Sequence, residues 1–166
     1  MGEKVVKRSE YLNWDQYFMA LALVAAKRSK DPATQTGAVI VDRRNKIISI
    51  GYNGFPTGCS DDVFPWQDTD DDLVDTINNK HYYVVHSELN AILNAKCDLT
   101  GTTMYTTLFP CNECAKAIIQ AGIRTVIYGD IKQSKDYTRA AKRMFDSAGV
   151  LYKMYKQGKK EVRLML

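Results

Sequence analysis

The chain has 166 residues, a length one hydrophobic core can serve, and its 45% apolar and 25% charged composition excludes wholesale disorder. No run approaches the roughly 18 uninterrupted apolar residues of a membrane span, and Met1-Gly2-Glu3-Lys4 lacks the apolar stretch of a secretory signal, so a cytoplasmic setting and a single domain over 1–166 are expected. The net charge of +4 is uneven: residues 1–114 carry 11 Lys/Arg against 15 Asp/Glu and residues 115–166 carry 12 against 4, which suits an anionic partner or a solvated basic face.

In chain order, the spacing of Tyr17, Leu21, Val24 and Ala25 predicts a helix from Asn13 to Ser29, capped by Asn13 and stopped by Pro32. Two β-rich runs, 36–41 and 46–50, flank a turn at Asp42-Arg-Arg-Asn45, and Gly51-Tyr-Asn-Gly54 ends the second. From Phe55 to Tyr82 there is little periodicity; Pro56, Gly58, Pro65 and the acids Asp68, Asp70, Asp71, Asp72 and Asp75 mark a long functional loop. Helices are expected at Val85–Ala95, Cys111–Ala121 and Tyr137–Ala148, and strands at Thr102–Thr107, Thr125–Tyr128 and Val150–Tyr155, with a short final strand at Glu161–Leu166. Strands alternating with helices after an opening hairpin give an α/β layered fold on a mixed sheet.

The chemistry concentrates in Pro110-Cys111-Asn112-Glu113-Cys114. Cysteines three apart at a helix start share one face, where backbone N–H groups favour the metal-binding thiolate. Alone, the pair fits a redox couple, half a zinc site or two core cysteines equally. His86, 25 residues upstream, adds a third ligand type and leaves zinc's fourth tetrahedral position open for water, the pattern of a catalytic site. Cys59, Cys97 and His81 lack ligand-like spacing, so one zinc per chain is expected. Two thiolates and an imidazole let the metal bring the pKa of bound water toward roughly 7. Glu88, two residues from His86, is held near the metal without binding it and suits proton transfer.

His-Ser-Glu at 86–88 with Pro-Cys-x-x-Cys at 110–114 is the signature of zinc nucleobase deaminases. Together with Tyr17-Phe-Met-Ala20, Gly51-Tyr-Asn-Gly54, Gly58-Cys-Ser-Asp-Asp62 and the 33-residue interval from Asn53 to His86, the chain resembles the deoxycytidylate (dCMP) deaminase family from about Tyr11 to Gly149. That resemblance implies a cytidine-deaminase-like three-layer α/β/α sandwich around a central mixed sheet. It implies hydrolysis of dCMP to dUMP and ammonia, feeding thymidylate synthesis. His86, Cys111 and Cys114 would hold zinc, Glu88 would shuttle protons while zinc-bound hydroxide attacks C4, and Asn53 would bond the substrate sugar. Gly51, Tyr52, Asn53 and Gly54 would meet nucleotide effectors: dCTP with Mg2+ activating, dTTP inhibiting. A homohexamer is implied, with neither membrane nor nucleic-acid polymer as partner. Lys132, Lys135 and Tyr137, after a strand feeding the zinc side, are candidates for the substrate's phosphate or base, a plain surface role being the simpler alternative. The stretch from Lys153 to Leu166 matches the family least. Two competing readings remain, a tRNA or single-stranded-DNA deaminase using the basic C-terminal third, and a non-catalytic zinc-stabilised nucleotide-binding protein.

Overall fold

The computed structural model describes residues 5–68, 76–156, 161–163 and 165. Helix α1 (Trp14–Ala26) starts in a capping box: Asn13 Oδ1 accepts the Gln16 N–H and Gln16 Oε1 accepts the Asn13 N–H, both at 2.9 Å. It stops three residues short of the expected Ser29. The bond from Lys27 N–H to the Val24 carbonyl tightens the last turn, and Asp31 Oδ1 then accepts the N–H groups of Ala33 and Thr34, which diverts the backbone. Strands β1 (Gly37–Val41) and β2 (Ile47–Tyr52) form the expected hairpin, with Asn45 left-handed at φ 61° in its turn. There follow α2 (Ser87–Asn94), β3 (Thr103–Leu108), α3 (Asn112–Gln120), β4 (Thr125–Asp130), α4 (Asp136–Ala148) and β5 (Leu151–Met154). Cys97 therefore lies past the end of α2 and not along it. The expected final strand is absent from residues 161–163 and 165, while Leu164 and Leu166 lie outside the described residues.

The sheet runs β2-β1-β3-β4-β5, with β1 antiparallel to both neighbours and β3, β4 and β5 parallel. Strands β2 and β3 thus point the same way, and the crossovers β2→β3, β3→β4 and β4→β5 all step in one direction. Right-handed crossovers then require α2, α3 and α4 to share a face. Alternation sorts the side chains accordingly. Ala38, Ile40, Met104 and Val126 pack under Ala91, Ile118 and Phe145 of those helices; Val39, Val41, Tyr105 and Ile127 pack under Phe18, Met19 and Ala22 of α1. Every residue of β1 is buried because both its faces are covered. The expected three-layer α/β/α sandwich is the observed one.

Helix α2 presses hard on β2. A β-carbon on Gly51 would collide with the backbone of Ser87 and Ala91, and the Ser49 hydroxyl donates to the Ala91 carbonyl. The long segment between β2 and α2 is irregular, as expected, but organised. Phe55 packs on Trp66 with ring centroids 4.1 Å apart and planes tilted by 38°, Phe64 meets Tyr83 edge-on at 5.2 Å, and Trp66 Nε1–H donates to the Asp61 carbonyl at 2.9 Å. Its acids Asp70, Asp71, Asp72 and Asp75 lie outside the described residues. Functionally, the topology puts the N-termini of α2 and α3 side by side, just past the carboxyl ends of β2 and β3, where open α/β sheets bind ligands.

Candidate active site

His86 is the N-cap of α2, Cys111 is the N-cap of α3, and Cys114 is one turn into α3. His86 Nδ1 lies 3.4 Å from Cys111 Sγ and 3.5 Å from Cys114 Sγ. A tetrahedral zinc with Zn–S near 2.3 Å and Zn–N near 2.0–2.1 Å separates its sulfur and nitrogen ligands by about 3.5 Å, so the group fits that ion without rearrangement. Among the described residues this is the one cluster of His, Cys, Asp or Glu whose ligand atoms converge in this way, and neither His81, Cys59 nor Cys97 joins it. The two sulfurs are electrostatically unequal. A hydrogen bond from Cys114 brings the Cys111 thiol down to about 4, against the opposing effect of burial. As the donor in that bond, and being buried, Cys114 is pushed up. The bond to Cys111 holds the His86 imidazole above its ordinary range.

Glu88 sits in the first turn of α2 and is buried. Its Oε2 accepts from the Ser87 hydroxyl at 3.2 Å and from the Cys114 thiol at 3.7 Å; its Oε1 meets the Thr106 hydroxyl at 3.2 Å. Burial pushes its carboxyl up, more than the nearby His86 pulls it down. A buried carboxyl held above its ordinary range beside a metal cluster is suited to taking and giving a proton. Ser87 and Thr106 were not singled out in the sequence. Thr106 reads there as one more β-former in Thr-Met-Tyr-Thr-Thr, and only the register of β3 beneath α2 turns its hydroxyl to Glu88.

His86, Glu88 and Cys111 line a cavity of about 500 Å³, within the usual range for small-ligand sites. Asn53 reaches it from the end of β2. Its Oδ1 accepts the Thr36 N–H at 2.8 Å, and its Nδ2 donates to the Thr34 carbonyl at 2.8 Å and to Asp31 Oδ2 at 3.4 Å, so its amide is held in one orientation. Of the other three turn residues, Gly51 is consumed by the α2 contact and Gly54 bridges to Val85. Tyr52 is partly exposed, with Arg28 5.7 Å over its ring; none of the three lines the cavity. Lys132 and Lys135, from the β4–α4 connection, and Tyr137, in the first turn of α4, do line it.

The same lining includes an ionic chain with no sequence signature, buried at Asp31 and Lys80. Lys80 Nζ donates to Asp31 Oδ1 at 2.8 Å and Oδ2 at 3.0 Å and pairs with Asp68 Oδ2 at 3.1 Å; His81 Nε2 lies 2.8 Å from Asp68 Oδ1. Lys80 and Asp31 are only 2% and 3% exposed. The chain ties the long insertion to the end of α1.

With fold and cluster in view, comparison with known proteins agrees. The pattern described as the cytidine and deoxycytidylate deaminase zinc-binding region matches residues 12–130. A probable deoxycytidylate deaminase of Drosophila melanogaster is 56% identical over 162 residues, covering 95% of this chain and 80% of that one. The human deoxycytidylate deaminase is 53% identical over 151 residues, covering 90% and 83%. In structure the chain resembles the dCMP deaminase of cyanophage S-TIM5, solved in complex with dCMP and dUMP, with a TM-score of 0.64 at 22% identity over 84% of this chain and 94% of that one. The chain belongs to the cytidine and deoxycytidylate deaminase family and is a deaminase enzyme of the zinc-binding type.

Proposed function

We propose that this enzyme hydrolyses dCMP to dUMP and ammonia in a single domain spanning the chain. The observation that carries the reading is the open His86/Cys111/Cys114 cluster with the buried carboxyl of Glu88 against it, at the base of a nucleotide-sized cavity. Names of relatives at 53% and 56% identity support dCMP as the substrate. His86, Cys111 and Cys114 hold one zinc ion, which when bound supplies a Lewis acid that makes water nucleophilic near neutral pH. Glu88 takes one proton from the attacking water and hands it to ring N3, then takes the second from the hydroxyl left on C4 and passes it to the amine as the C4–N bond breaks and the carbonyl forms. Ser87 and Thr106 keep its carboxyl aimed while it does so. Asn53, its amide locked by Thr34 and Thr36, bonds the sugar.

The finer parts of the reading follow the family. The enzyme works as a homohexamer in the cytoplasm, where its four free cysteines persist as thiols, and its dUMP feeds thymidylate synthesis. dCTP with Mg2+ activates it and dTTP inhibits it through the Gly51–Gly54 turn. Within that turn Asn53 lines the cavity and Tyr52 does not, so the turn connects the substrate site to the surface where Tyr52 lies. The test is metal content together with ammonia release from dCMP, with and without each triphosphate. One zinc per chain and turnover are expected, and Glu88→Gln keeps the zinc while losing turnover. Zinc-loaded protein that released no ammonia from dCMP in the presence of dCTP and Mg2+ would remove the assignment.

A further inference from the structure

Asp31 lies between α1 and β1, 22 residues before Asn53, and is buried in the lining of the cavity. Its two carboxylate oxygens have different partners. Oδ1 accepts the N–H groups of Ala33 and Thr34 at 2.8 and 3.0 Å, and the Gln35 amide donates to the Asp31 carbonyl at 2.5 Å, which closes the turn that carries Thr34 and Thr36. Oδ2 accepts from Asn53 Nδ2 at 3.4 Å, and Lys80 Nζ donates to both oxygens.

Asn53 is thereby saturated on one side. Its Nδ2 has two hydrogens, one for the Thr34 carbonyl at 2.8 Å and the other for Asp31. Its Oδ1 has two lone pairs, and the Thr36 N–H takes one at 2.8 Å. Turning the amide over would set its N–H groups against the Thr36 N–H, and its oxygen against the Thr34 carbonyl and the Asp31 carboxylate. One lone pair is left for a ligand, so Asn53 offers the cavity an acceptor and no donor.

We infer that Asp31 is a positioning residue for the reaction: acting through Thr34 and Asn53, it makes the sugar end of the site select a group that donates a hydrogen bond. The role rests on the reading of Asn53 as the residue that meets the sugar of dCMP. That nucleotide has one free sugar hydroxyl, at C3′, because C2′ carries none and the 5′ oxygen carries the phosphate. Inside a polynucleotide the same oxygen is esterified and has no hydrogen to give, so the geometry favours mononucleotides over internal positions of a strand.

The test measures kcat/KM of the zinc-loaded enzyme for dCMP and for three analogues with hydrogen, fluorine or an amino group at C3′ in place of the hydroxyl. In the wild type the hydrogen and fluorine analogues should both fall about tenfold or more below dCMP, since each leaves the Asn53 lone pair unpaired. The amino analogue, a donor, should keep most of the rate. Asp31→Asn should shrink the preference for dCMP over the hydrogen analogue about fivefold or more whichever way it turns. One amide oxygen cannot serve both Asn53 and the N–H groups of Ala33 and Thr34. Lys80→Met breaks the same ion pair but spares those bonds, so it should keep the preference despite a lowered Tm. Tm and zinc content check that each variant is folded. An intact preference in Asp31→Asn, or an equal loss in Lys80→Met, overturns the positioning role. A fluorine analogue that matches dCMP overturns the selection of a donor. A wild type that turns over all four compounds alike removes the Asn53–sugar reading and the role with it, while the deaminase reading stands; turnover of none of them removes the deaminase reading itself.

Discussion

Lys80→Met removes the ammonium at the centre of the buried ionic chain while keeping most of the side chain's volume. Lys80 and Asp31 are 2% and 3% exposed, so the substitution leaves a carboxylate facing the interior with its partner gone. Breaking such a pair costs about 3–5 kcal/mol. Here Asp31 keeps the N–H groups of Ala33 and Thr34 at 2.8 and 3.0 Å and the Asn53 amide at 3.4 Å, which places the loss at the low end, about 3 kcal/mol. For a chain of this length each kcal/mol lowers Tm by roughly 2–4 °C, so a fall of roughly 6–12 °C is expected. Asp31→Asn should cost less, because Lys80 still has Asp68 at 3.1 Å. In Asp31→Asn/Lys80→Met no buried carboxylate remains at position 31, and part of the loss should return as a coupling of about 1 kcal/mol or more. The measurement is urea unfolding of the zinc-saturated protein at pH 7, with Tm alongside. A loss below about 1 kcal/mol in Lys80→Met, or strict additivity in the double variant, would refute the claim that this pair fastens the insertion to α1.

Two further expectations concern the centre itself. Thr106→Val removes the hydroxyl at Glu88 Oε1 and should lower kcat about 10- to 100-fold with zinc content and KM for dCMP retained, whereas Thr106→Ser should restore most of the rate; a fall in zinc content or KM alone would contradict a positioning role. Zinc binding at pH 7 should release protons, because Cys114 is held protonated and must be ionised as a ligand while the Cys111 thiol, near 4, is already ionised. Affinity should accordingly rise with pH and fall toward acid as His86, held above its usual range, keeps its proton. Calorimetry in buffers of different ionisation enthalpy measures the release, and a buffer-independent heat would refute it.

What was legible in the sequence was local. Cys111 and Cys114 lie within one helical turn, and His86 and Glu88 within another, so spacing alone pointed to the four side chains that the structure brings together. The β-rich runs on either side of Asp42–Asn45 announced their hairpin the same way. The Lys80–Asp31 pair spans 49 residues and a segment without periodicity, and nothing about a lysine in such a segment marks it as buried. Thr106 was hidden for a related reason: its role depends on which face of β3 lies under α2. Helix ends shifted where a side chain competed with the backbone, as Asp31 does after α1. The glycines of the Gly51–Gly54 turn invited a ligand explanation, but at Gly51 the close neighbour is helix α2.

Topology explains why so few local signals sufficed for the chemistry. Asn53 follows the end of β2, Cys111 follows the end of β3, and Lys132 follows the end of β4, three strands that run the same way in one sheet. Helix α3 begins soon after β3 stops, and the Gly54–Val85 bridge returns the insertion to the end of β2 before α2 begins, so α2 and α3 bring His86 and Cys111 together as N-caps. The long insertion leaves from the end of β2, beside the same cluster, and its buried lysine ties it to Asp31, a few residues past α1, which also bonds Asn53. The +8 of residues 115–166 thus divides into lysines that face the cavity at the end of β4 and others on the outer surface. Among the described residues, the charge balance that suggested a polymer partner enters the cavity lining through two lysines only, Lys132 and Lys135.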